Sequence, residues 1–347
     1  MTRTPEVPSS IQIGVIGLGF MGRTHLASFS RVPGCRLAAV VDREPGRLTG
    51  EATSAGNIDT TAGDIIFDPS EVAVFETVES MLEHCDFDLG VVTTPTPTHV
   101  EIALKLVEAG RHVLVEKPVS LDLDSMSRLD RVARDRGVIA MPAHCMRFWP
   151  AWAWMHRRIR ERTFGEVRRA SFRRTGAAPD WNPGFYQDTG RSGGAIVDLH
   201  IHDTDFVLHS FGPPTAVSSV GSRSNVRTTY HYENGPHVEA VGAWLESPDA
   251  PFTMEAEIEC DAGTISFVLG RVPEIEVRSR DGVIIGHPEA SEGGSGYDAQ
   301  ARAIIDTIVR RAVDPPVTLS DAIRAGRILE FEIESVESGG GRTPIVL

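Results

Sequence analysis

The chain has 347 residues, 41% hydrophobic and 24% charged, with a formal net charge of -14; that length suits two domains, and the composition is that of a globular protein. The acidic balance argues against nucleic acid or an anionic membrane as partner, and no apolar run approaches the roughly 20 residues of a membrane span. Cys35, Cys85, Cys145 and Cys260 are widely spaced and form no CxxC pair, which suggests neither a disulfide framework nor a zinc knuckle and favours a reducing cytoplasm.

Residues 1–10 carry Pro5 and Pro8 and no apolar core, and read as a frayed tail, not a signal peptide. Ile11 to Ile16 is a strand. It runs into Gly17-Leu18-Gly19-Phe20-Met21-Gly22, and a helical pattern follows through Arg31. This is GxGxxG between a strand and a helix. Gly17 permits the tight turn, Gly19 lets the amides of the Phe20–Met21 turn approach a pyrophosphate, and Gly22 allows close helix–strand packing. An incidental glycine-rich turn is the competing reading.

The next strand, Arg36 to Val41, ends at Asp42. An acid about twenty residues beyond the glycines accepts hydrogen bonds from the adenosine ribose and repels a 2′-phosphate. NAD is therefore favoured. Arg43 keeps NADP possible, since it could stack on adenine or meet a phosphate. Alternatively, Asp42 caps the helix that follows.

Residues 50 to 70 read as a loop or insertion. A strand at Val72 to Phe75, a short helix at Val78 to His84 and a buried strand at Leu89 to Val92 come next. The last ends in Thr93-Thr94-Pro95-Thr96-Pro97-Thr98-His99, where two prolines break the strand and Thr98 caps a helix running to Ala109. Ligands bind at the carboxyl ends of parallel strands, which places Thr94, Pro95, Thr96 and His99 beside the cofactor. His99 reads equally as a surface histidine at a helix start.

Val113 to Val115 is the next strand, closed by Glu116-Lys117-Pro118. The chain has two lysines, Lys105 and Lys117, among 34 basic residues. Arginine keeps its proton near neutral pH, whereas a desolvated lysine can release it. Lys117 is thus a candidate functional amine; the simpler alternative is a surface charge paired with Glu116. A helix from Asp122 to Arg136 and a strand from Val138 to Met141 complete a doubly wound parallel sheet over residues 1–142. Residues 143–347 form the second domain. It opens with a helical segment carrying Trp149, Trp152 and Trp154, whose rings are expected to pack between domains, and His144 and Arg147 at its start could face the pocket.

Strands are expected at Val167 to Arg174, Ala216 to Ser222, Val238 to Glu246, Phe252 to Cys260, Thr264 to Leu269, Glu274 to Arg280 and Val283 to Ile285. Asp261-Ala262-Gly263 and Asp281-Gly282 are hairpin turns. Helices at Asp298 to Ala312 and Ser320 to Ser338 close the chain. This is an α+β domain with a large, mostly antiparallel sheet. Between its strands lies Gly193-Gly194 and the segment Ala195 to Ser210. As one helix, it aligns Asp198, His202, Asp205 and His209 in a single stripe, with Asp198 adjacent to His202. A carboxylate beside an imidazole fixes its tautomer and raises its basicity, which suits a general base. A structural Asp–His pair and a metal site remain open. A shared metal at His200 and His202 needs a strand, because on a helix at about 100° per residue the two diverge. No metal is assigned.

These motifs together resemble the Gfo/Idh/MocA family of oxidoreductases over nearly the whole chain. The likeness rests on the glycine loop, Thr94-Pro95-Thr96 with His99, Glu116-Lys117-Pro118, and Gly193-Gly194 followed by Asp198 and His202. It implies an N-terminal Rossmann domain holding NAD(P) and a C-terminal α/β domain whose open sheet builds a homodimer or homotetramer. It implies hydride exchange between nicotinamide and a secondary alcohol or ketone of a sugar, polyol or inositol. Lys117 would contact the reacting hydroxyl, followed by a cis proline. His202 or Lys117 would take the proton, and Asp198 would orient His202 or hold a neighbouring hydroxyl. His200 departs from the small or hydroxylated residue of many members. Arg147, Trp181, Tyr186 and His200 are candidate substrate contacts. An NAD-recycling glycoside hydrolase, a non-catalytic dinucleotide sensor and a metal-dependent hydrolase are the alternatives.

Overall fold

A computed structural model describes residues 10–51, 66–180 and 182–346; the expected N-terminal tail, most of the 50–70 loop and Trp181 lie outside them. In chain order the first elements are β1 (Ile11–Ile16), α1 (Phe20–Ser30), β2 (Cys35–Val41), β3 (Ala73–Phe75), α2 (Val78–His84), β4 (Leu89–Val92), α3 (His99–Glu108), β5 (His112–Val115), α4 (Leu123–Arg136) and β6 (Ala140–Pro142). There follow α5 (Pro150–Arg160), β7 (Val167–Ala177), the short turns α6 (Pro183–Tyr186), α7 (Thr189–Ser192) and α8 (Ala195–Asp198), and α9 (Ile201–Phe211). The rest comprises β8 (Ala216–Gly221), β9 (Asn225–His231), β10 (His237–Leu245), β11 (Thr253–Cys260), β12 (Gly263–Val268), β13 (Ile275–Ser279), β14 (Ile284–Gly286), α10 (Gly296–Val309), α11 (Leu319–Glu337) and β15 (Arg342–Pro344).

Two compact units form. The first comprises residues 1–143 and 297–320. Its six strands run in the order β3-β2-β1-β4-β5-β6, and every pairing is parallel. β4 is buried at all four positions, as a strand covered by helices on both faces must be. The helices are punctuated as their sequences dictate: Asp122 accepts from the Asp124 N–H at 3.0 Å to cap α4, and Gly137 ends it in a left-handed conformation. The chain returns to this unit at 297–320, a stretch that a boundary at residue 142 assigns to the second half. Arg31, the residue that follows α1, donates to both oxygens of Asp298 on α10, at 3.2 and 2.7 Å.

The second unit comprises residues 144–296 and 321–347. Nine strands run in the order β14-β13-β12-β11-β7-β10-β9-β8-β15. Only β10 and β7 pair in parallel; the other pairings are antiparallel. β11 shows why one face is covered: Met254, Ala256, Ile258 and Cys260 are buried, while Glu255, Glu257 and Glu259 are exposed. On the buried face Trp152 meets Phe206 edge-on at 4.7 Å and touches Phe172 and Phe267. Trp154 lies against Phe164 and His287. Both tryptophans therefore pack against rings of this unit. β9 escapes a hydrophobicity pattern because two of its inward positions are Thr228 and Tyr230. β15 has three residues and ends at a proline.

Arg174 on β7 is 3% exposed and makes a two-pronged ion pair with Asp203 on α9, at 3.1 and 2.9 Å. A buried guanidinium without its carboxylate keeps the full cost of desolvation. Asp203→Ala is expected to cost about 3–5 kcal/mol in urea unfolding; a loss typical of a surface pair would show that the pair does not hold α9 to the sheet.

Candidate active site

The glycine loop is built as its spacing requires. Gly17 has φ +93°, and a Cβ there would lie 3.0 Å from the Thr93–Thr94 backbone. At Gly22 a Cβ would stand 1.9 Å from the Gly17 carbonyl oxygen. A Cβ on Gly19 would meet nothing within 4 Å. Two glycines thus serve packing, and the third leaves an approach open. Gly19 brings no side-chain cap to α1, and the first turn, with Phe20 and Met21, contains no acid. That helix terminus fits a pyrophosphate. The Thr93 hydroxyl supports the loop from β4, 2.6 Å from the Gly17 carbonyl oxygen.

Asp42 is buried at the end of β2. Its Oδ2 accepts the Leu18 N–H at 2.7 Å and its Oδ1 accepts the Glu44 N–H at 2.9 Å. The carboxylate therefore ties the glycine loop to the end of β2. Arg43 is exposed. The cation beside Asp42 is Arg47, with Nη1 3.6 Å from Oδ2, a residue that motif spacing does not single out.

At the end of β4, Thr94 accepts from the Thr98 hydroxyl at 2.7 Å. Pro95 is exposed and Thr96 is buried. His99 is turned inward and 2% exposed. Its Nε2 lies 2.5 Å from the Thr94 carbonyl oxygen and its Nδ1 2.9 Å from that of Pro118. Burial holds its pKa below the usual histidine value despite the two carbonyls. It joins the turns after β4 and β5 and has no ring nitrogen left for a cofactor, which corrects its reading as a ligand contact.

Glu116 is buried at the end of β5. His25 on α1 meets its Oε1 at 2.7 Å, and the Lys117 N–H donates to Oε2 at 3.0 Å. Burial alone would raise the Glu116 pKa; the His25 hydrogen bond and charge, with Lys117, outweigh it and hold it below the usual value. Glu116 is thus the backbone anchor of Lys117, and His25 is the anchor of Glu116. The signal for His25 was its place three residues after Gly22, on the inward face of α1. The Lys117–Pro118 peptide is cis, and Lys117 is half-buried. Lys105 forms surface pairs with Glu79 and Glu101.

In the second unit the expected single helix is two. α8 ends at Asp198, and the His200 N–H bonds back five residues to the Ala195 carbonyl at 2.8 Å before α9 begins. The four-residue stripe does not form. Asp205 is buried against Arg147, which donates to it at 2.9 and 2.7 Å. His209 stacks on His156 at 3.7 Å. Asp198 and His202 are half-buried on either side of the break. Arg147 and His200 are corrected as substrate contacts. Arg147 is held by Asp205 and, at 3.4 Å, by Asp321. His200 is 0% exposed, with Nε2 3.1 Å from Glu332 Oε2 and 3.3 Å from the Tyr230 hydroxyl. Burial lowers the His200 pKa, but Glu332 reverses this and raises it. Tyr186 is half-buried and edge-on to Trp244 at 5.9 Å. Among the described residues no three His, Cys, Asp or Glu side chains are grouped to hold a metal.

Residues 11–144 match the oxidoreductase family with the NAD-binding Rossmann fold, and residues 152–266 match the GFO/IDH/MocA C-terminal domain. The chain belongs to the Gfo/Idh/MocA family. A Gfo/Idh/MocA relative, the scyllo-inositol 2-dehydrogenase (NAD(+)) of Bacillus subtilis, is 30% identical over 241 residues, 67% of this chain and 60% of that protein. The chain thus spans less than two thirds of that relative. The uncharacterized oxidoreductase YrbE of B. subtilis is 23% identical over 95% of each chain. The crystal structure of the WlbA dehydrogenase from Bordetella pertussis with NADH and UDP-GlcNAcA matches with a TM-score of 0.80, at 17% identity over 99% of this chain and 100% of that one. That likeness shows the fold.

The loop geometry separates two substitutions. Gly22→Ala should lower the melting temperature, because backbone must move. Gly19→Ala should leave it unchanged and weaken NADH binding by roughly tenfold, since a methyl group would stand where the pyrophosphate approaches. Equal melting temperatures in titrations of both variants would refute that division. Glu116 gives a pH signature. Its folded pKa is depressed, so its stabilisation is present above its ordinary pKa of about 4.5 and is lost as pH falls through the lower folded value. Glu116→Gln should be less stable than wild type at neutral pH, and the gap should narrow on acidification; a pH-independent gap in thermal melts would exclude the ionised pair.

Proposed function

We propose that the chain is an NAD(P)-dependent dehydrogenase acting on a secondary alcohol of a sugar, polyol or inositol, or on the corresponding ketone. The observation that carries this is Lys117: it is anchored through Glu116 and His25 at the end of β5, in the same parallel sheet as an open glycine loop and Asp42. Ligands of such sheets bind at the carboxyl ends of the strands.

The nicotinamide dinucleotide, when bound, supplies the hydride acceptor or donor. Gly19, with the amides at Phe20 and Met21, would hold its pyrophosphate in the turn that Gly17 and Gly22 allow. Asp42 would take the ribose, and Thr94, Pro95 and Thr96 would border the nicotinamide half. Lys117 Nζ holds the reacting oxygen by hydrogen bond. In the second unit the family resemblance supports an acid–base role for His202, with Asp198 orienting it or holding a neighbouring hydroxyl. Tyr186 contributes an aromatic edge for a sugar face. Relatives named for scyllo-inositol, and a fold neighbour crystallised with UDP-GlcNAcA, support a cyclic polyhydroxylated substrate. The wide spacing of the four cysteines, with no CxxC pair, supports a reducing cytoplasm, and the resemblance to the family supports a homodimer or homotetramer.

The test is NADH formation across inositols, aldoses, uronates and nucleotide sugars, with NAD and NADP side by side. Lys117→Arg should lower kcat by at least about a hundredfold, the scale of a positioned acid–base group, and leave dinucleotide binding intact. Near-normal turnover in that variant would remove Lys117 from the chemistry.

A further inference from the structure

The geometry points to Arg47 as the residue that sets discrimination between NAD and NADP, with Glu44 as its holder. This rests on the dinucleotide-binding part of the proposed function.

Asp42 is positioned to reject a 2′-phosphate, but it does not stand alone. Its two oxygens already accept the Leu18 and Glu44 N–H groups, and Arg47 Nη1 lies 3.6 Å from Oδ2. The carboxylate's charge is therefore partly compensated where a 2′-phosphate would arrive. The other edge of the guanidinium is committed elsewhere: Arg47 Nε is 3.1 Å from Glu44 Oε2. The two ends of that pair differ in exposure, Arg47 being 33% and Glu44 66% exposed. An exposed ion pair contributes little and exchanges readily. A phosphate offers a doubly charged, bidentate partner that an arginine prefers to one exposed carboxylate. Glu44 and the incoming 2′-phosphate thus compete for the same guanidinium. Asp42 gives the preference for NAD; Arg47 limits how strong that preference is; Glu44 decides how available Arg47 becomes. Arg43, the basic residue adjacent to Asp42 in sequence, is exposed and does not enter this cluster.

The experiment is fluorescence titration of the full chain with NADH and with NADPH, reading the ratio of their dissociation constants. Glu44→Gln keeps the backbone N–H that binds Asp42 and frees the guanidinium. It should shift the ratio toward NADPH by about fivefold or more, and the gain should fade with added salt, as a phosphate contact does. Arg47→Gln should shift the ratio the opposite way by about tenfold, the usual scale of a charge-assisted contact. Arg47→Lys should recover part of that loss through a point charge. A ratio unchanged in both Glu44→Gln and Arg47→Gln overturns the inference. Failure of the wild type to bind either dinucleotide would instead overturn the proposed function. Should Arg47→Gln prove unstable, the Glu44→Gln ratio decides, since that side chain is exposed.

Discussion

A buried charge must have a partner, because leaving it uncompensated in a poorly solvated interior costs several kcal/mol. That constraint shapes both units. Glu116 is paired with His25, Asp203 with Arg174, Asp205 with Arg147, and Glu332 with His200. Each pair joins elements far apart in the chain, so each fixes a piece of backbone that hydrophobic packing alone would leave free to slide. The candidate catalytic residues sit next to these anchors. Lys117 follows Glu116, and His202 lies between His200 and Asp203. The half-buried groups borrow their placement from fully buried neighbours.

The pattern of strands and helices in the first unit was legible because it rests on local rules. Strands of four to seven apolar residues, glycines at a tight turn, prolines at a strand end and an Asp–Gly pair bracketing α4 act within a few residues of themselves. The bounds of β1, α2 and β4 follow from them directly. In the second unit β9 was not legible, because its inward Thr228 and Tyr230 face polar partners: Thr228 donates to Glu332, and the Tyr230 hydroxyl meets Thr204. A strand whose buried face is partly hydroxylated carries no alternation of hydrophobicity to read.

The site shows the same division. The glycine loop, Asp42 and Lys117 are candidates that spacing alone names, because each sits in a turn whose geometry is set by its neighbours in sequence. His200, His99 and Arg147 were misread for one reason: a polar residue near a site motif has the same sequence appearance whether it faces a ligand or the interior. What distinguishes them is a partner 132, 19 or 58 positions away, namely Glu332, the Pro118 carbonyl and Asp205. Arg47 was missed for the converse reason. It belongs to no motif, and only the fold of the turn after β2 brings it to Asp42.

Gly242 on β10 has an ordinary strand conformation, yet a Cβ there would fall 2.7 Å from the His200 Cβ and 3.0 Å from its Nδ1. Its smallness is dictated by the imidazole opposite, not by its own backbone. Positions 200 and 242 therefore share one fixed volume. Within the family they should vary as a complementary pair: a small residue at 200 releases 242 to carry a side chain, and a large residue at 200 obliges 242 to remain bare. Glu332 should follow the same division, since its carboxylate has a reason to be buried only where an imidazole faces it. Three positions scattered over the chain thus form one packed unit, and a change at any of them alone would leave either a void, a clash or an unanswered charge.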